Sequence, residues 1–182
     1  MIPSTEELKL IDKVKLPLTH GSMIKEIGIL PTYVLDDLYR VYDSIKDSPS
    51  DQTYETGEAA STVSLNNKDS LVSRWLNVDK RISFDSYIHL SRFSDISRMI
   101  ISKTTPHTII DWHVLHENPR MHVQLFGRDC YFDVLDSDKK MHSKKLETGK
   151  LYAVNVCYPH RVRCMGDVER IQLFYDFTKP LF

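Results

Sequence analysis

The hydrophobic and polar positions of the chain follow two different patterns, which meet near residue 107. Within residues 31–46 the apolar side chains recur every three or four positions, at Val34, Leu38, Val41 and Ile45. This spacing predicts a helix, and Pro31 suits its first turn. A second mixed apolar pattern over 83–101 favours another helix with a break. Between the two, residues 47–69 are rich in Ser, Thr, Asp and Asn, which predicts a long loop.

After residue 107, short runs rich in β-branched and aromatic residues alternate with turn signals. The six runs are Thr108–His113, Met121–Phe126, Cys130–Leu135, Leu151–Cys157, Pro159–Arg163 and Arg170–Tyr175. Turns are predicted at Gly127–Asp129, Asp136–Asp138, Glu147–Gly149 and Gly166–Asp167. Six short strands at this spacing favour a sandwich or barrel over a parallel α/β sheet. The basic run at 139–145 follows two aspartates and predicts a solvated turn.

Composition narrows the class of protein. The chain has 182 residues, 41% of them hydrophobic and 27% charged, which fits one globular domain. Its net charge of −1 gives no reason to expect a nucleic acid or an anionic membrane as partner. We find no apolar run of transmembrane length and no secretory signal pattern at the N-terminus. We therefore expect a cytoplasmic protein, and the oligomeric state is open.

Three cysteines, Cys130, Cys157 and Cys164, form no paired framework, which fits a reducing compartment. The spacing of Cys157 and His160 could serve zinc, but no second cysteine pair accompanies it. We therefore interpret the cysteines as ordinary buried thiols in strands.

Two distant histidines, each with polar companions, are the candidate chemistry of the strand-rich segment. His113 is followed by Arg120 and His122, and His160 is followed ten residues later by Arg170. Neutral imidazole suits Fe(II), and an arginine fork meets a carboxylate in bidentate fashion. Because Arg120 and His122 are two positions apart on a predicted strand, we expect both to face one side of the sheet.

Residues 102–176 resemble the catalytic core of the aspartyl/asparaginyl β-hydroxylases, a branch of the Fe(II)/2-oxoglutarate oxygenases. The resemblance covers about 75 residues. It depends on the spaced positions above and on the phrase Gly149-x-Leu-Tyr-x-Val-Asn-x-x-x-Pro-His160-x-Val-x-x-x-Gly166-Asp-x-x-Arg170-Ile-x-Leu. Residues 1–100 resemble nothing that we can name.

The resemblance implies a mainly β, α+β protein with a double-stranded β-helix (jelly-roll, cupin-like) core. The chain would be a single domain, 1–182, with a helix- and loop-rich part at 1–100 and the jelly-roll core at 101–182. The implied activity is a dioxygenase that uses Fe(II), 2-oxoglutarate and O2 to hydroxylate an unactivated C–H, with release of succinate and CO2. The implied substrate is a small-molecule amino acid or a peptidyl Asp- or Asn-like side chain.

The same resemblance implies the role of each site residue. His113 and His160 match the two iron ligands, and Arg170 matches the arginine that pairs with the distal carboxylate of 2-oxoglutarate. Arg120, His122 and Ser102 match positions that make further contacts with the cosubstrate.

One position departs from the wider superfamily, which completes a facial triad with a carboxylate two residues after the first histidine. Here that residue is Leu115, which cannot bind metal. The β-hydroxylase branch manages with two histidines and water, so Leu115 agrees with that branch. Asp111, two positions before His113, is expected to share its face of a strand, and Glu117 is near, so either could instead substitute for the missing carboxylate. Leu115 offers no donor to hold a halide, which favours hydroxylation over halogenation.

Two alternatives stay open at this point. The first is a non-catalytic jelly roll that keeps the pocket but does not turn over a substrate. Leu115 leaves this alternative open because it cannot bind metal. The second is a cupin-type metalloenzyme that needs no cosubstrate, such as a lyase or isomerase. Arg170 argues against the second, because such an enzyme does not need that arginine.

Overall fold

A computed structural model describes residues 23–47, 73–77, 81–92, 96–114 and 119–177. These residues form two helices, α1 (Thr32–Ile45) and α2 (Phe84–Ser91). They also form ten strands: β1 (Ile24–Ile29), β2 (Ser73–Asn77), β3 (Ile96–Thr104), β4 (Thr108–His113), β5 (Arg120–Phe126), β6 (Cys130–Leu135), β7 (Met141–Lys145), β8 (Lys150–Val154), β9 (His160–Cys164) and β10 (Arg170–Phe177).

The strands lie in two antiparallel sheets that face each other. One sheet has six strands in the order β1-β8-β5-β10-β3-β2, and the other has four in the order β4-β9-β6-β7. From β3 to β10 the chain passes between the sheets so that β3, β5, β8 and β10 lie in one and β4, β6, β7 and β9 in the other. This alternation is the double-stranded β-helix, so the jelly-roll fold predicted above is confirmed.

Helix α1 covers the outer face of the six-stranded sheet. Its apolar residues lie on one side at helical spacing, and Val34, Leu38, Val41, Tyr42 and Ile45 are buried. They pack against residues of β5 and β10 that point outward, including Met121, Val123, Leu173 and Tyr175. The Tyr39 hydroxyl also donates to the carbonyl oxygen of Leu125 on β5. The helix and the sheet therefore share one hydrophobic core.

Helix α2 begins at a serine cap and is tied to α1. The Ser83 hydroxyl accepts a hydrogen bond from the backbone N–H of Ser86 at 3.3 Å, which satisfies one of the unpaired N–H groups at the helix start. The backbone N–H of Ser83 donates to Asp37 of α1 at 2.8 Å. Leu90 of α2 is fully buried in the core under the sheet.

The space between the two sheets forms a second core and a pocket. Side chains from β6, β8 and β9 fill its apolar part, including Phe132, Val134, Tyr152 and Val162. Because side chains alternate along a strand, the inner face of β5 and β10 carries the residues that the outer core does not use. Most of those inner residues are polar, and Arg120, His122, Arg170 and Gln172 line the pocket described below, together with Phe174.

The six strands predicted after residue 107 and the four turns between them are confirmed, although β8 ends at Val154 and residues 156–157 form a turn. The predicted helix at 31–46 is also confirmed. The helix prediction at 83–101 is wrong from Ile96 onward, where β3 begins. The apolar residues there fill a nine-residue strand, and a short apolar run does not distinguish strand from helix by periodicity.

The predicted solvated turn at 139–145 is wrong for Met141–Lys145, which form β7 at the edge of the smaller sheet. Charged residues are common on edge strands because they discourage pairing with other chains. Strands β1 and β2 were not predicted. The predicted loop at 47–69 lies outside the described residues beyond residue 47. No helix in the described ranges is long and apolar enough to cross a membrane.

Candidate metal and anion site

Neighbouring strands of the four-stranded sheet bring the two predicted metal-binding histidines together. His113 is the last residue of β4 and His160 is the first residue of β9. They are direct partners in the antiparallel register of these strands. Their ring centroids lie 4.3 Å apart. His113 and His160, which are 47 residues apart in sequence, are therefore neighbours in the sheet.

A β-bulge in β4 aims His113 at the interior. Ile110 pairs with Val162 and His113 pairs with His160, so three steps along β4 match two steps along β9. The extra residue shifts the alternation, because a bulge places two residues opposite one. Asp111, in the bulge, is exposed, and its carboxylate accepts a hydrogen bond from the N–H of Trp112 at 2.8 Å.

Both histidines have the same tautomer. Nδ1 of His113 donates to the carbonyl oxygen of Asp111 at 2.5 Å, and Nδ1 of His160 donates to that of Tyr158 at 2.9 Å. A carbonyl oxygen can only accept, so Nδ1 carries the proton in each ring and the lone pair lies on Nε2. Burial lowers the pKa of His113, which keeps that ring neutral. This hydrogen bond to a backbone carbonyl is the usual support of a metal-binding histidine.

Arg170 lies in the interior at the start of β10. Only 3% of its surface is exposed, and within the described residues neither Nε nor Nη2 has a hydrogen-bond partner. Burial lowers the pKa of this guanidinium, and the neighbouring thiols of Cys164 and Cys130 raise it in part. A buried cation with unused donors is costly unless an anion meets it. Arg170 is therefore a candidate anion-binding residue.

Arg120 is also buried, but it has a carboxylate partner. Its Nε donates to Asp176 of β10 at 2.5 Å, and the two residues are direct register partners. Its guanidinium lies 4.5 Å from the ring centroid of Phe174, in a cation–π contact. These contacts fix the direction of the Arg120 side chain at the edge of the pocket.

His122 and Ser102 complete the polar wall on the inner face of the larger sheet. Both are buried, at 4% and 6% exposure. His122 lies edge-on to Phe132, with ring centroids 4.9 Å apart. Burial lowers its pKa well below the usual value, and the nearby charges of Arg120 and Arg170 lower it further, so the ring is neutral.

These side chains line one pocket of about 440 Å³, including its open mouth. The apolar part of the lining consists of Ile110, Phe132 and Val162 on the smaller sheet, Val156 after β8, and Phe174 on the larger sheet. The structure therefore brings all six predicted site residues, His113, His160, Arg170, Arg120, His122 and Ser102, into a single cavity.

A third metal ligand is not found in the described part of the chain, where no three His, Cys, Asp or Glu residues are grouped so as to hold a metal. The expectation that Asp111 shares a face with His113 is wrong, because the bulge between Ile110 and His113 breaks the alternation. Leu115 and Glu117 lie outside the described residues. The possible zinc site at Cys157 and His160 is not supported either, because no group of three metal ligands is found among the described residues.

The three cysteines are buried, as predicted, and no disulfide joins them, but Cys157 lies in a turn and not in a strand. Two other histidines have ordinary surface contacts. Nε2 of His107 lies 3.3 Å from a carboxylate oxygen of Asp167, and Nε2 of His142 lies 2.6 Å from a carboxylate oxygen of Asp136.

Sequence reasoning missed Gln172 and Phe132, which also line the pocket. Gln172 carried a usable signal, because it is two positions after Arg170 and so shares its face of β10. Phe132 carried none, since an aromatic residue in a strand is most often part of an ordinary core.

Comparison with known proteins adds little to this geometry. No protein-family model matches the chain, and no curated protein matches it in sequence. Solved structures of oxalate decarboxylases are similar in part. A formate complex of the Lactobacillus farciminis enzyme is 12% identical, with a TM-score of 0.46, over 62% of this chain and 31% of that one. The Bacillus subtilis enzyme, studied for its Mn(II) centres, is 13% identical, with a TM-score of 0.43, over 59% and 26%.

The chain thus spans less than a third of the length of these two enzymes, and at such scores the likeness carries no argument about activity. The strand order and the pocket carry the conclusion instead. The protein has a double-stranded β-helix (jelly-roll, cupin-like) fold, with two imidazole donors and a buried guanidinium in its interior.

Proposed function

We propose that this protein is an Fe(II)/2-oxoglutarate-dependent dioxygenase that hydroxylates an unactivated C–H of an amino acid or of a peptidyl Asp- or Asn-like side chain. One observation carries the proposal. The pocket combines two adjacent imidazoles, with their lone pairs on Nε2, and a buried guanidinium that lacks hydrogen-bond partners for two of its nitrogens among the described residues. The first feature suits a transition metal and the second suits a carboxylate.

The donor set fits Fe(II) bound by His113 and His160. Both Nδ1 protons are held by backbone carbonyls, so each ring keeps the tautomer and orientation that present Nε2 for ligation. Two protein ligands leave several coordination positions for a chelating cosubstrate and O2. When bound, Fe(II) together with 2-oxoglutarate supplies the oxidation of the C–H bond, with release of succinate and CO2.

Arg170 would hold the distal carboxylate of 2-oxoglutarate. Its unused Nε and Nη2 are two parallel donors, which is the geometry that a carboxylate accepts in bidentate fashion. The charge of the anion would also offset the cost of burying the guanidinium. His122, Ser102 and Arg120 line the same pocket and would direct further contacts at the cosubstrate.

The apolar wall would protect the reaction from water. Ile110, Phe132 and Val162 lie on the smaller sheet, across from the polar side chains of the larger sheet, and offer no hydrogen bonds to solvent. A dry wall strengthens the electrostatic contacts of Arg170 with an anion, because the local dielectric constant is low. It also leaves an apolar surface against which the C–H group of a substrate can lie.

The test is substrate-stimulated release of succinate from 2-oxoglutarate by the purified protein with Fe(II) and O2. A panel of amino acids and short peptides, with Asp and Asn side chains among them, is screened by mass spectrometry. We expect one member to gain a single oxygen atom in amounts equal to the succinate formed, and turnover to be indifferent to added chloride. Metal binding without any effect of 2-oxoglutarate would instead favour a cosubstrate-free or non-catalytic jelly roll.

A further inference from the structure

A glutamine in the pocket contacts a ring nitrogen of His122. Gln172 is 2% exposed and lies on the inner face of β10, in register with Ser102 of β3 and Gln124 of β5. Its side-chain amide nitrogen contacts Nδ1 of His122 on the neighbouring strand. The resemblance described above assigns no role to this residue.

The chemistry of the contact fixes the tautomer. An amide nitrogen donates and does not accept, so Nδ1 of His122 must be the acceptor. His122 is neutral in this setting, and a neutral imidazole carries one proton. That proton is therefore on Nε2, which has no hydrogen-bond partner within the described ranges.

The pocket thus holds histidines of two opposite tautomers. Backbone carbonyls hold the proton of His113 and His160 on Nδ1, so their lone pairs lie on Nε2. Gln172 holds the lone pair of His122 on Nδ1, so its Nε2 is a donor. The first arrangement suits a metal, and the second suits an anion.

The donors that lack partners are on two residues that line the same pocket. The Nε2–H of His122 and the Nε and Nη2 groups of Arg170 are all buried and lack partners among the residues that the structure describes. Both residues line the pocket, so an anion bound there would accept from an Nε2–H of His122, whereas the opposite tautomer would direct a lone pair at that anion and repel it. We infer that Gln172 is a positioning residue, which selects the Nε2–H tautomer of His122 so that this ring donates to a bound carboxylate. The identity of that carboxylate as 2-oxoglutarate rests on the proposed function.

The wild-type protein provides the first test. Two-dimensional ¹H–¹⁵N spectra of the histidine rings distinguish a protonated ring nitrogen from one that carries a lone pair. In the metal-free, full-length protein we expect a protonated Nε2 for His122 and a protonated Nδ1 for His113 and His160. A protonated Nδ1 on His122 would overturn the inference, because Gln172 would then present its oxygen. This measurement needs no variant, so it holds even if substitutions in the pocket impair folding.

Substitution of Gln172 provides the second test. In Gln172→Glu the side chain can only accept, so we expect Nδ1 of His122 to become protonated and the dissociation constant for 2-oxoglutarate to rise about tenfold, the value of one ordinary hydrogen bond. The matched control is Gln124→Glu, which adds the same charge at a buried register partner whose amide donates to Gly127 instead of a histidine. The control should leave the His122 ring spectrum unchanged, and it should raise the dissociation constant for 2-oxoglutarate less than Gln172→Glu does. An unchanged His122 spectrum in Gln172→Glu would overturn the inference.

The two proposals can fail separately. The ring spectra are recorded without metal or cosubstrate, so they report on Gln172 whatever the reaction is. If no substrate stimulates succinate release while His122 shows the expected tautomer, the proposed function fails and the positioning role stands. If succinate is released but His122 is protonated on Nδ1, the positioning role fails and the function stands.

Discussion

The two faces of the six-stranded sheet are made from the same strands but have different roles. The outer face packs into a hydrophobic core, and the inner face lines the pocket. Met121, Val123 and Leu173 on β5 and β10 point outward and are fully buried beneath helix α1. Their inward neighbours His122 and Arg170 are buried as well, but they carry polar atoms that lack partners in the described part of the chain. Burial stabilises the fold on the first face and opposes it on the second. The outward side chains of these strands therefore stabilise the fold, whereas the unpartnered polar side chains on the inner face cost stability.

The largest expected effect is on the helix-covered face. Leu173 is fully buried in the core that joins α1 to the sheet. We expect Leu173→Ala to lower the free energy of unfolding by roughly 2–5 kcal/mol, through lost burial and the cavity left behind. Denaturant unfolding followed by circular dichroism measures the change. A loss below about 1 kcal/mol would show that this core is not the main source of stability.

On the pocket face the same experiment should give the opposite result for stability. In Arg170→Met a buried charge with two unused donors is replaced by an apolar side chain of similar length, so we expect unchanged or increased stability without ligand. The dissociation constant for 2-oxoglutarate should rise by about ten- to a hundredfold, as expected for a charge-assisted bidentate pair. Destabilisation of the ligand-free protein together with unchanged affinity would place the anion site elsewhere, with Arg120 the next candidate.

The outer face of the four-stranded sheet differs from both, because it carries a buried carboxylate that is paired with two arginines. Asp133 has no exposed surface, and it accepts hydrogen bonds from Arg161 at 2.7 Å and from Arg163 at 2.6 Å. Burial raises the pKa of Asp133, but the hydrogen bonds from Arg163, Ser143 and Arg161 outweigh it, and the pKa lies below its usual value. A group with a lowered pKa stabilises the fold above its unfolded pKa, near 4, and that stability is lost as the pH falls through the folded pKa.

We therefore expect Asp133→Asn to cost about 1–3 kcal/mol at pH 7 and less as the pH falls below about 4. Unfolding curves of both proteins between pH 7 and pH 3 measure the difference. A cost that does not depend on pH would show that the charge of Asp133 is unimportant.

The smallest expected effect is at the helix cap. Ser83→Ala removes the acceptor for the N–H of Ser86 at the start of α2 and should cost about 1 kcal/mol. Ser91→Ala is the matched control, because its hydroxyl donates to the Ile88 carbonyl at the exposed end of the same helix. Equal losses in the two variants would remove the special role of the cap.

Much of this arrangement could be predicted from the sequence, and the limits have physical causes. The six strands after residue 107 are rich in β-branched and aromatic side chains, whereas β7 is mostly polar because it lies at an edge. Strand β3 resembled a helix because its apolar residues do not alternate.

In the site, the spacing of His113, His160 and Arg170 carried the prediction that they lie together. The bulge before His113 could not be foreseen, because no glycine or proline marks it, and it is what turns Asp111 away from the expected face. The tautomers were also beyond the sequence, since they depend on contacts between residues such as Gln172 and His122 that are 50 positions apart.

An anaerobic titration of the purified protein with Fe(II) and then with 2-oxoglutarate tests directly whether the pocket binds both. We expect one Fe(II) per chain and a weak visible charge-transfer band that appears when 2-oxoglutarate is added. His113→Ala and His160→Ala should each abolish the band while circular dichroism shows the fold intact, and Arg170→Met should shift the titration to higher 2-oxoglutarate. A band of wild-type intensity in both histidine variants would contradict the assignment of the pocket.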